Sequence, residues 1–222
     1  MALLLALARK LPRSLSRVKE HDFALDGLVG RNINGSVVGV IGTGMIGLAF
    51  ARCISGFGVE LLGFDVYRDK QFEAIGGKYV DSLDELLSRA DIISLHCPLL
   101  PTTQHLINSA NVAKLKRGCL LINTSRGGIV DTGALIGALK SGQVAGAGID
   151  VYENEAELFG NDLSDSVVQD DAFQLLQSFS NCLITAHCAF FTATALKNIA
   201  TTTVANIIAC ARKQECENEV RT

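Results

Sequence analysis

The sequence lacks several features that mark broad classes of protein. It shows no internal repeat at the periods of solenoid proteins and no low-complexity segment. It also lacks an excess of positive charge, because 20 basic and 23 acidic residues leave a net charge of −3 with both signs interspersed. We therefore expect neither a nucleic acid nor a membrane surface as a partner.

The cysteines lack the spacing of a disulfide framework or a zinc site. Their number is odd, no two form a Cys-x-x-Cys pair, and several lie in apolar runs. The seven are Cys53, Cys97, Cys119, Cys182, Cys188, Cys210 and Cys216. Reduced thiols are typical of the cytoplasm, whereas disulfides belong to oxidising compartments. We therefore expect a cytoplasmic protein without a metal site.

The N-terminus lacks a secretion signal. No basic region precedes the apolar residues 1–8, and this run is too short to span a membrane. The arginines that follow, with no acid before Glu20, have the composition of a mitochondrial presequence. The alternative is an amphipathic helix that Pro12 kinks or restarts, because leucines recur at positions 4, 7, 11 and 15. We favour the helix.

The arrangement of apolar segments predicts the fold class. A hydrophobic content of 48% over 222 residues is sufficient for one large core. Short apolar runs alternate with helical patterns, which predicts an α/β fold with a doubly wound parallel sheet and flanking N- and C-terminal helices. The predicted strands are 37–41, 59–65, 91–96, 119–123, 144–151 and 183–185. The predicted helices include 1–19, 83–90, 110–115, 131–141 and 192–211.

A glycine-rich turn follows the first predicted strand. Gly42 would permit the turn, Gly44 would let the backbone approach a pyrophosphate, and Gly47 would let the next helix pack against the strand. The same pattern also fits an empty strand-to-helix turn. However, Asp65 ends the second strand, where a carboxylate accepts hydrogen bonds from the adenosine ribose of NAD. We expect NAD rather than NADP because this carboxylate would repel a 2′-phosphate, although Arg68 is nearby.

Three reactive side chains follow later strands. Arg126 follows strand 119–123, Glu155 follows the next strand, and His187 follows the last one. Each has an ordinary interpretation: a surface cation, a member of a solvated acidic loop, and a core histidine. Since the carboxyl ends of parallel strands share one edge, we expect these three side chains on the side of the glycine-rich turn.

Together these side chains suit hydride transfer between nicotinamide and a 2-hydroxy or 2-oxo acid. An arginine binds a carboxylate through two parallel hydrogen bonds, which a lysine does not. A histidine titrates near neutrality and can exchange the proton of the substrate oxygen. An adjacent carboxylate would fix the tautomer of the imidazole and favour its protonated form.

The motifs around these residues resemble those of a known family. The segments that carry the resemblance are 40–47, 96–99, 121–128, 148–153 and 184–187. In combination they are similar to the signatures of the D-isomer-specific 2-hydroxyacid dehydrogenases. The acidic stretch 157–165, with 169–171 and 187–191, resembles the D-lactate dehydrogenase branch of that family.

The resemblance implies roles for individual residues. Arg126 would hold the substrate carboxylate, and Glu155 would pair with His187, the proton donor or acceptor. The cofactor-binding residues would be Gly42, Gly44, Met45, Ile46, Gly47, Asp65, Cys97, Pro98, Thr103, Thr124, Ser125, Arg126 and Asp150. One local departure is that Ala186 and Cys188 stand where this branch tends to have Gly and Gln, and the lost Gln removes a polar group beside the histidine.

The resemblance also implies a domain organisation and partners. Residues 33–191 would form the NAD-binding Rossmann domain, and 192–222 the C-terminal helix and tail. Residues 1–32 would be the helix and loop that connect this domain to a substrate lobe, so on this interpretation the chain begins without that lobe. The substrate would be a small acid such as D-lactate or pyruvate, and the assembly a homodimer formed through the coenzyme domain.

Two other functions are left open by the sequence. A chain without the lobe would be a catalytically silent NAD-binding module, which is our alternative. A different Rossmann enzyme, such as a methyltransferase, is a third interpretation, but it leaves Arg126 and His187 without a role.

Overall fold

The structure is a computed structural model that describes residues 1–216, Asn218 and Glu219. The end of the predicted tail, including Val220, lies outside the described residues. The chain divides into two compact units, the first over Met1–Ala186 and the second beginning at His187. Within the described residues, no helix is long and apolar enough to cross a membrane.

The first unit is built on a parallel sheet. Its strands are β1 Val37–Ile41, β2 Glu60–Phe64, β3 Lys78–Tyr79, β4 Ile92–Leu95, β5 Cys119–Asn123, β6 Val144–Ile149 and β7 Cys182–Ile184. They lie in the order β3-β2-β1-β4-β5-β6-β7. The chain reverses direction across the sheet between β1 and β4, which confirms the doubly wound prediction. The short edge strand β3 was not predicted.

Helices flank the sheet within the first unit, and most helices of the described residues begin where a side chain caps the first turn. In the first unit they are α1 Ala2–Ala8, α2 Leu11–Lys19, α3 Met45–Ser55, α4 Lys70–Ala74, α5 Leu83–Arg89, α6 Thr132–Ser141 and α7 Asp171–Ser178; the second unit contains α8 Ala193–Ala211. Ser82 caps α5, Asp131 caps α6 and Asp170 caps α7, each accepting a backbone N–H. The predicted helix 110–115 is only a 3₁₀ turn at Val112–Lys114.

Successive strand residues pack on opposite faces of the sheet. Ile93 and Leu121 belong to one core cluster, whereas their neighbours Ile92 and Leu120 belong to the cluster on the other face. All residues of β4 and β5 are buried. This burial on both faces is the reason that these strands are continuous apolar runs rather than alternating ones.

The N-terminal helices divide at Lys10, which has a left-handed backbone with φ of 50°. Pro12 lies in the first turn of α2, where its missing N–H has no helical partner to lose, so of the two predicted effects, a kink or a restart, the structure shows the restart. In α1, Leu4 is fully buried. A Cβ on Gly148 would lie 2.9 Å from the Cβ of Leu3, so this glycine allows α1 to pack closely on β6.

Candidate functional site

The glycine-rich turn joins β1 to α3, and each of its three glycines has a different steric environment. Gly42 has a positive φ of 88°, and a Cβ there would lie 2.5 Å from the backbone nitrogen of Cys97. A Cβ on Gly47 would lie 1.9 Å from the carbonyl oxygen of Gly42, so the helix could not approach the turn with any larger residue. Gly44, the N-cap of α3, has no atom within 4 Å of such a Cβ. The open space above Gly44 fits a ligand that contacts the backbone directly.

Asp65 lies just beyond β2 and is bonded to this turn. Its Oδ2 accepts hydrogen bonds from the Thr43 backbone nitrogen at 2.6 Å and from Thr43 Oγ1 at 3.3 Å, and its Oδ1 accepts from the Tyr67 nitrogen at 3.0 Å. Thr43 Oγ1 also lies 2.7 Å from the hydroxyl of Tyr79 on β3. The predicted ribose carboxylate is therefore held beside the predicted pyrophosphate turn, as a dinucleotide site requires.

Residues after β4 line the opposite wall of the glycine turn. His96 lies under the turn: its Nε2 is 2.9 Å from Ser94 Oγ, its ring packs on Phe50, and its Nδ1 is buried without a hydrogen-bond partner. Burial, and after it the positive charge of the chain's amino terminus, lower the pKa of His96 to about 4. A neutral histidine in this position supports the turn.

The predicted cofactor-lining residues Cys97, Pro98 and Thr103 form a compact loop after His96. Burial raises the pKa of the Cys97 thiol, so this side chain is not a thiolate near neutrality. Thr103 Oγ1 donates to the Pro98 carbonyl oxygen at 2.6 Å and accepts from the Leu100 nitrogen at 2.7 Å. Thr103 therefore fixes the shape of this loop, while Pro98 is exposed at its surface.

Arg126 follows β5 in the same edge of the sheet. Ser125 Oγ donates to the Cys97 carbonyl oxygen at 2.5 Å, which joins the loops after β4 and β5. The Arg126 guanidinium is exposed and donates to the Ser125 carbonyl oxygen at 2.7 Å. Asn123 Nδ2 donates to the Arg126 carbonyl oxygen at 2.9 Å and so holds the backbone of the turn. Thr124, also predicted to line the cofactor, is half-buried beside them.

A histidine–carboxylate pair that the sequence did not reveal supports the Arg126 turn. His105 Nε2 lies 2.5 Å from Glu153 Oε1, and Thr132 Oγ1 donates to Glu153 Oε2 at 2.8 Å. Burial opposes ionisation of this carboxyl, but the hydrogen bonds from His105 and Thr132 outweigh it and lower the pKa of Glu153. The His105 backbone nitrogen donates to the Gly128 carbonyl oxygen at 2.8 Å. His105 is half-buried in this cluster.

The predicted acidic residues after β6 lie in two different environments. Asp150 is buried, with Thr185 Oγ1 donating to its Oδ1, and its backbone nitrogen donates to the Asn123 carbonyl oxygen at 2.9 Å. Glu155 is half-buried at the start of a 3₁₀ turn, where its Oε2 accepts from the Tyr152 nitrogen at 2.9 Å. Both carboxyls thus follow β6 on the edge that carries Arg126.

His187 is the first residue of the second compact unit. It comes three residues after the end of β7 at Ile184, has a left-handed backbone with φ of 50°, and is half-buried. Its ring lies edge-on to that of Phe190, with centroids 6.4 Å apart. The structure therefore brings Arg126 and Glu155 to one unit and assigns the histidine to the other.

The described residues include no group of three or more metal-ligating side chains placed to hold an ion. No disulfide joins any of the seven cysteines, all of which belong to the described part of the chain. What the first unit does contain is an open glycine turn, a ribose-side carboxylate and an exposed arginine, and this set fits a dinucleotide and an anionic substrate.

Comparison with known proteins agrees with this arrangement. The family model described as "D-isomer specific 2-hydroxyacid dehydrogenase, NAD binding domain" matches residues 1–189. A 2-hydroxyacid dehydrogenase homolog of Schizosaccharomyces pombe is 49% identical over 93% of the chain, and the D-lactate dehydrogenase of Escherichia coli is 43% identical over 99% of it. A solved structure of the pyruvate reductase of Chlamydomonas reinhardtii superimposes with a TM-score of 0.94 and 44% identity over 98% of the chain.

The chain is shorter than the proteins that it matches. It spans 62% of the Schizosaccharomyces pombe relative, 67% of the Escherichia coli enzyme and 66% of the Chlamydomonas reinhardtii chain. The part that matches is the dinucleotide-binding part.

Proposed function

The chain belongs to the D-isomer-specific 2-hydroxyacid dehydrogenase family and contains its NAD-binding domain. We propose that it acts as an NAD-dependent D-2-hydroxyacid dehydrogenase. The proposed reaction is the interconversion of a small 2-oxo acid and the corresponding D-2-hydroxy acid, with pyruvate and D-lactate as the pair. The domain boundaries at residues 33 and 191 are part of the same proposal.

The observation that carries this proposal is the convergence of functional groups on one edge of a parallel sheet. The glycine turn follows β1, Asp65 follows β2, Arg126 follows β5 and Glu155 follows β6. In a parallel sheet these positions lie at the carboxyl ends of the strands, where α/β proteins bind their ligands. A dinucleotide across the turn between β1 and β4 would extend toward Arg126.

The proposed mechanism assigns one task to each side chain. When bound at the glycine turn, NADH would supply the hydride for the carbonyl carbon of the 2-oxo acid. Arg126 holds the substrate carboxylate through two parallel hydrogen bonds, which orients that carbon. His187 donates a proton to the carbonyl oxygen as it becomes a hydroxyl, and Glu155 stabilises the imidazolium before the proton leaves. In the reverse direction His187 accepts the same proton.

We also propose that the protein is a cytoplasmic homodimer. The seven cysteines, all within the described residues, form no disulfide, which supports a reducing compartment. Exposed apolar side chains on α2 and in the loop after it support a protein interface; they are Leu11, Leu15, Val18, Phe23, Leu25 and Val29. Sedimentation equilibrium checks this point, and a monomer at micromolar concentration would contradict it.

The proposed function is tested by separating cofactor binding from turnover. The purified chain is titrated with NADH by nicotinamide fluorescence and then assayed for pyruvate-dependent NADH oxidation. We expect NADH binding in the wild type. We expect the variant His187→Ala to keep this binding and to reduce turnover by about 100-fold or more, as loss of a general acid does. The variant His21→Asn is the matched control, because His21 lies in a surface loop after α2.

The outcomes distinguish the two functions that the sequence left open. Turnover that depends on His187 supports the dehydrogenase. NADH binding with no turnover supports the silent NAD-binding module. The absence of NADH binding in a folded chain would contradict both.

A further inference from the structure

A second carboxylate lies beside the predicted ribose site. Gly63 of β2 pairs with Tyr79 of β3, and two residues beyond this pair the two strands lead to Asp65 and Asp81. Asp65 and Asp81 therefore occupy equivalent positions just beyond the ends of two neighbouring parallel strands. Asp81 could not be identified from the sequence, because β3 is too short to show a strand pattern.

Arg68 follows Asp65 by three residues and is held by Asp81. Its Nη2 is 2.5 Å from Asp81 Oδ1, and its guanidinium carbon is 5.6 Å from the centroid of the Tyr79 ring. It also lines the groove of about 650 Å³ that contains Gly44 and Asp65. An ion pair and a cation–π contact thus fix Arg68, the cation that is nearest in sequence to Asp65.

The ring under Arg68 is itself fixed. The Tyr79 hydroxyl lies 2.7 Å from Thr43 Oγ1 and accepts a hydrogen bond from the Asp69 backbone nitrogen at 2.8 Å. Tyr79 therefore connects the glycine turn to the loop after β2, and the surface on which Arg68 lies does not move independently of the cofactor site.

We propose that Asp81 is a second determinant of the choice of NAD over NADP, because it holds Arg68 over Tyr79 and away from a 2′-phosphate. The inference rests on the NAD site of the proposed function. An arginine near the ribose is the group that accommodates the 2′-phosphate of NADP in such folds. In this chain that arginine is already paired, and Asp81 adds a second negative charge on the same edge as Asp65.

The pair can be broken without unfolding the chain. The side chains of Arg68 and Asp81 are 54% and 90% exposed, and exposed ion pairs contribute little to stability. The variant Asp81→Asn should therefore fold normally and release the guanidinium. The matched control is Asp84→Asn, since Asp84 lies three residues further on and pairs instead with Lys114 at 2.5 Å.

The test measures cofactor binding rather than activity. NADH and NADPH are titrated by nicotinamide fluorescence, and adenosine 2′,5′-bisphosphate and AMP compete as probes that lack the nicotinamide. We expect Asp81→Asn to tighten NADPH binding by about threefold to tenfold and to change NADH binding by less than about twofold. The affinity for adenosine 2′,5′-bisphosphate should rise by the same factor in Asp81→Asn, and the affinity for AMP should not change.

Two double variants assign the effect to Arg68. Adding Arg68→Ala to Asp81→Asn should remove most of the gain for NADPH. Adding Lys70→Ala, which removes the other cation that lines the groove, should leave most of the gain for NADPH.

Three results would each overturn the proposal. They are an unchanged ratio of NADPH to NADH affinity in Asp81→Asn, an equal gain for NADPH in Asp84→Asn, and a full gain for NADPH in the absence of Arg68. If the wild type binds NADPH but Asp81→Asn has no effect, the NAD site stands and only the role of Asp81 falls; if the wild type binds neither cofactor, both fall.

Discussion

At the scale of single residues, the three glycines of the turn after β1 have separable roles. Gly47 is required by the fold, because a Cβ there would overlap the carbonyl oxygen of Gly42 at 1.9 Å. Gly44 is not required by the fold, because a Cβ there meets no atom within 4 Å and its backbone is extended with φ of −63°. Two substitutions to alanine should therefore fail in different ways.

We predict that Gly44→Ala keeps the stability of the wild type within about 1 kcal/mol but weakens NADH binding by about tenfold or more, since the added methyl lies where the pyrophosphate would approach. Gly47→Ala should lose about 1–3 kcal/mol of unfolding free energy through overpacking. Urea unfolding and NADH titration of both variants check this. Equal losses of stability in the two variants would show that Gly44 has a structural role.

The residue scale also shows how far the sequence could be interpreted. Asp65 was identified from its position at the end of a predicted strand, and the structure places it beside the glycine turn. Its link to Tyr79 could not be found, since two residues of β3 show no period. The pair of His105 with Glu153 joins positions 48 apart in the chain, and no local pattern indicates such a contact.

At the scale of elements, the sequence pattern predicted where a strand or helix lies better than it predicted which type of element forms there. Every strand of the sheet except the edge strand β3 was predicted, and burial on both faces makes β4 and β5 apolar throughout. The predicted helix 110–115 became a single 3₁₀ turn. There Asn108 Oδ1 accepts from the Ala110 nitrogen and Asn111 Oδ1 accepts from the Asn108 nitrogen, which diverts backbone groups from a helix.

The leucine pattern of residues 1–19 also divided between two elements. Leu4 of α1 is fully buried, whereas Leu15 of α2 is 62% exposed. We predict that Leu4→Ala lowers the free energy of unfolding by about 2–5 kcal/mol, because it opens a cavity between α1 and the sheet. Val167→Ala is the control and should change it by less than about 0.5 kcal/mol, because Val167 is 77% exposed in a loop and is not among the proposed interface residues. Chemical unfolding of the two variants measures the difference, and similar values would mean that α1 does not contribute to the core.

At the scale of the whole molecule, the rule that parallel strands share an edge predicted part of the site. It brought Arg126 and Glu155 to the edge that carries the glycine turn. The rule applies to residues held by the sheet, and it does not extend to His187, with which the second unit begins. The histidine could be identified by chemistry and by its motif, but its position is not fixed by strand order.

The pH dependence of global stability is a whole-molecule property that one buried residue should dominate. Burial and the nearby amino terminus lower the pKa of His96 to about 4 in the folded state, whereas an unfolded histidine titrates near 6.5. Between these values the unfolded state binds a proton that the folded state does not. Stability contributed by neutral His96 is therefore complete above about pH 6.5 and is lost as the pH falls toward 4.

This window is largely separate from that of the acidic side chains. Hydrogen bonds to Asp91, Glu153 and Asp170 outweigh their burial and lower the pKa of each carboxyl below its ordinary value near 4. Their contribution is present above that ordinary value and is lost only at lower pH. The change in stability between pH 7 and pH 4.5 should consequently report mainly on His96.

We predict that the wild type loses about 2–3 kcal/mol of unfolding free energy between pH 7 and pH 4.5 because of His96. In His96→Gln this part of the loss should disappear, since glutamine does not titrate, even if the variant is less stable at pH 7. In His21→Asn it should persist, because that side chain is exposed. Urea unfolding at a series of pH values measures the slopes. A slope in His96→Gln equal to that of the wild type would show that His96 accepts its proton as readily in the folded chain as in the unfolded one.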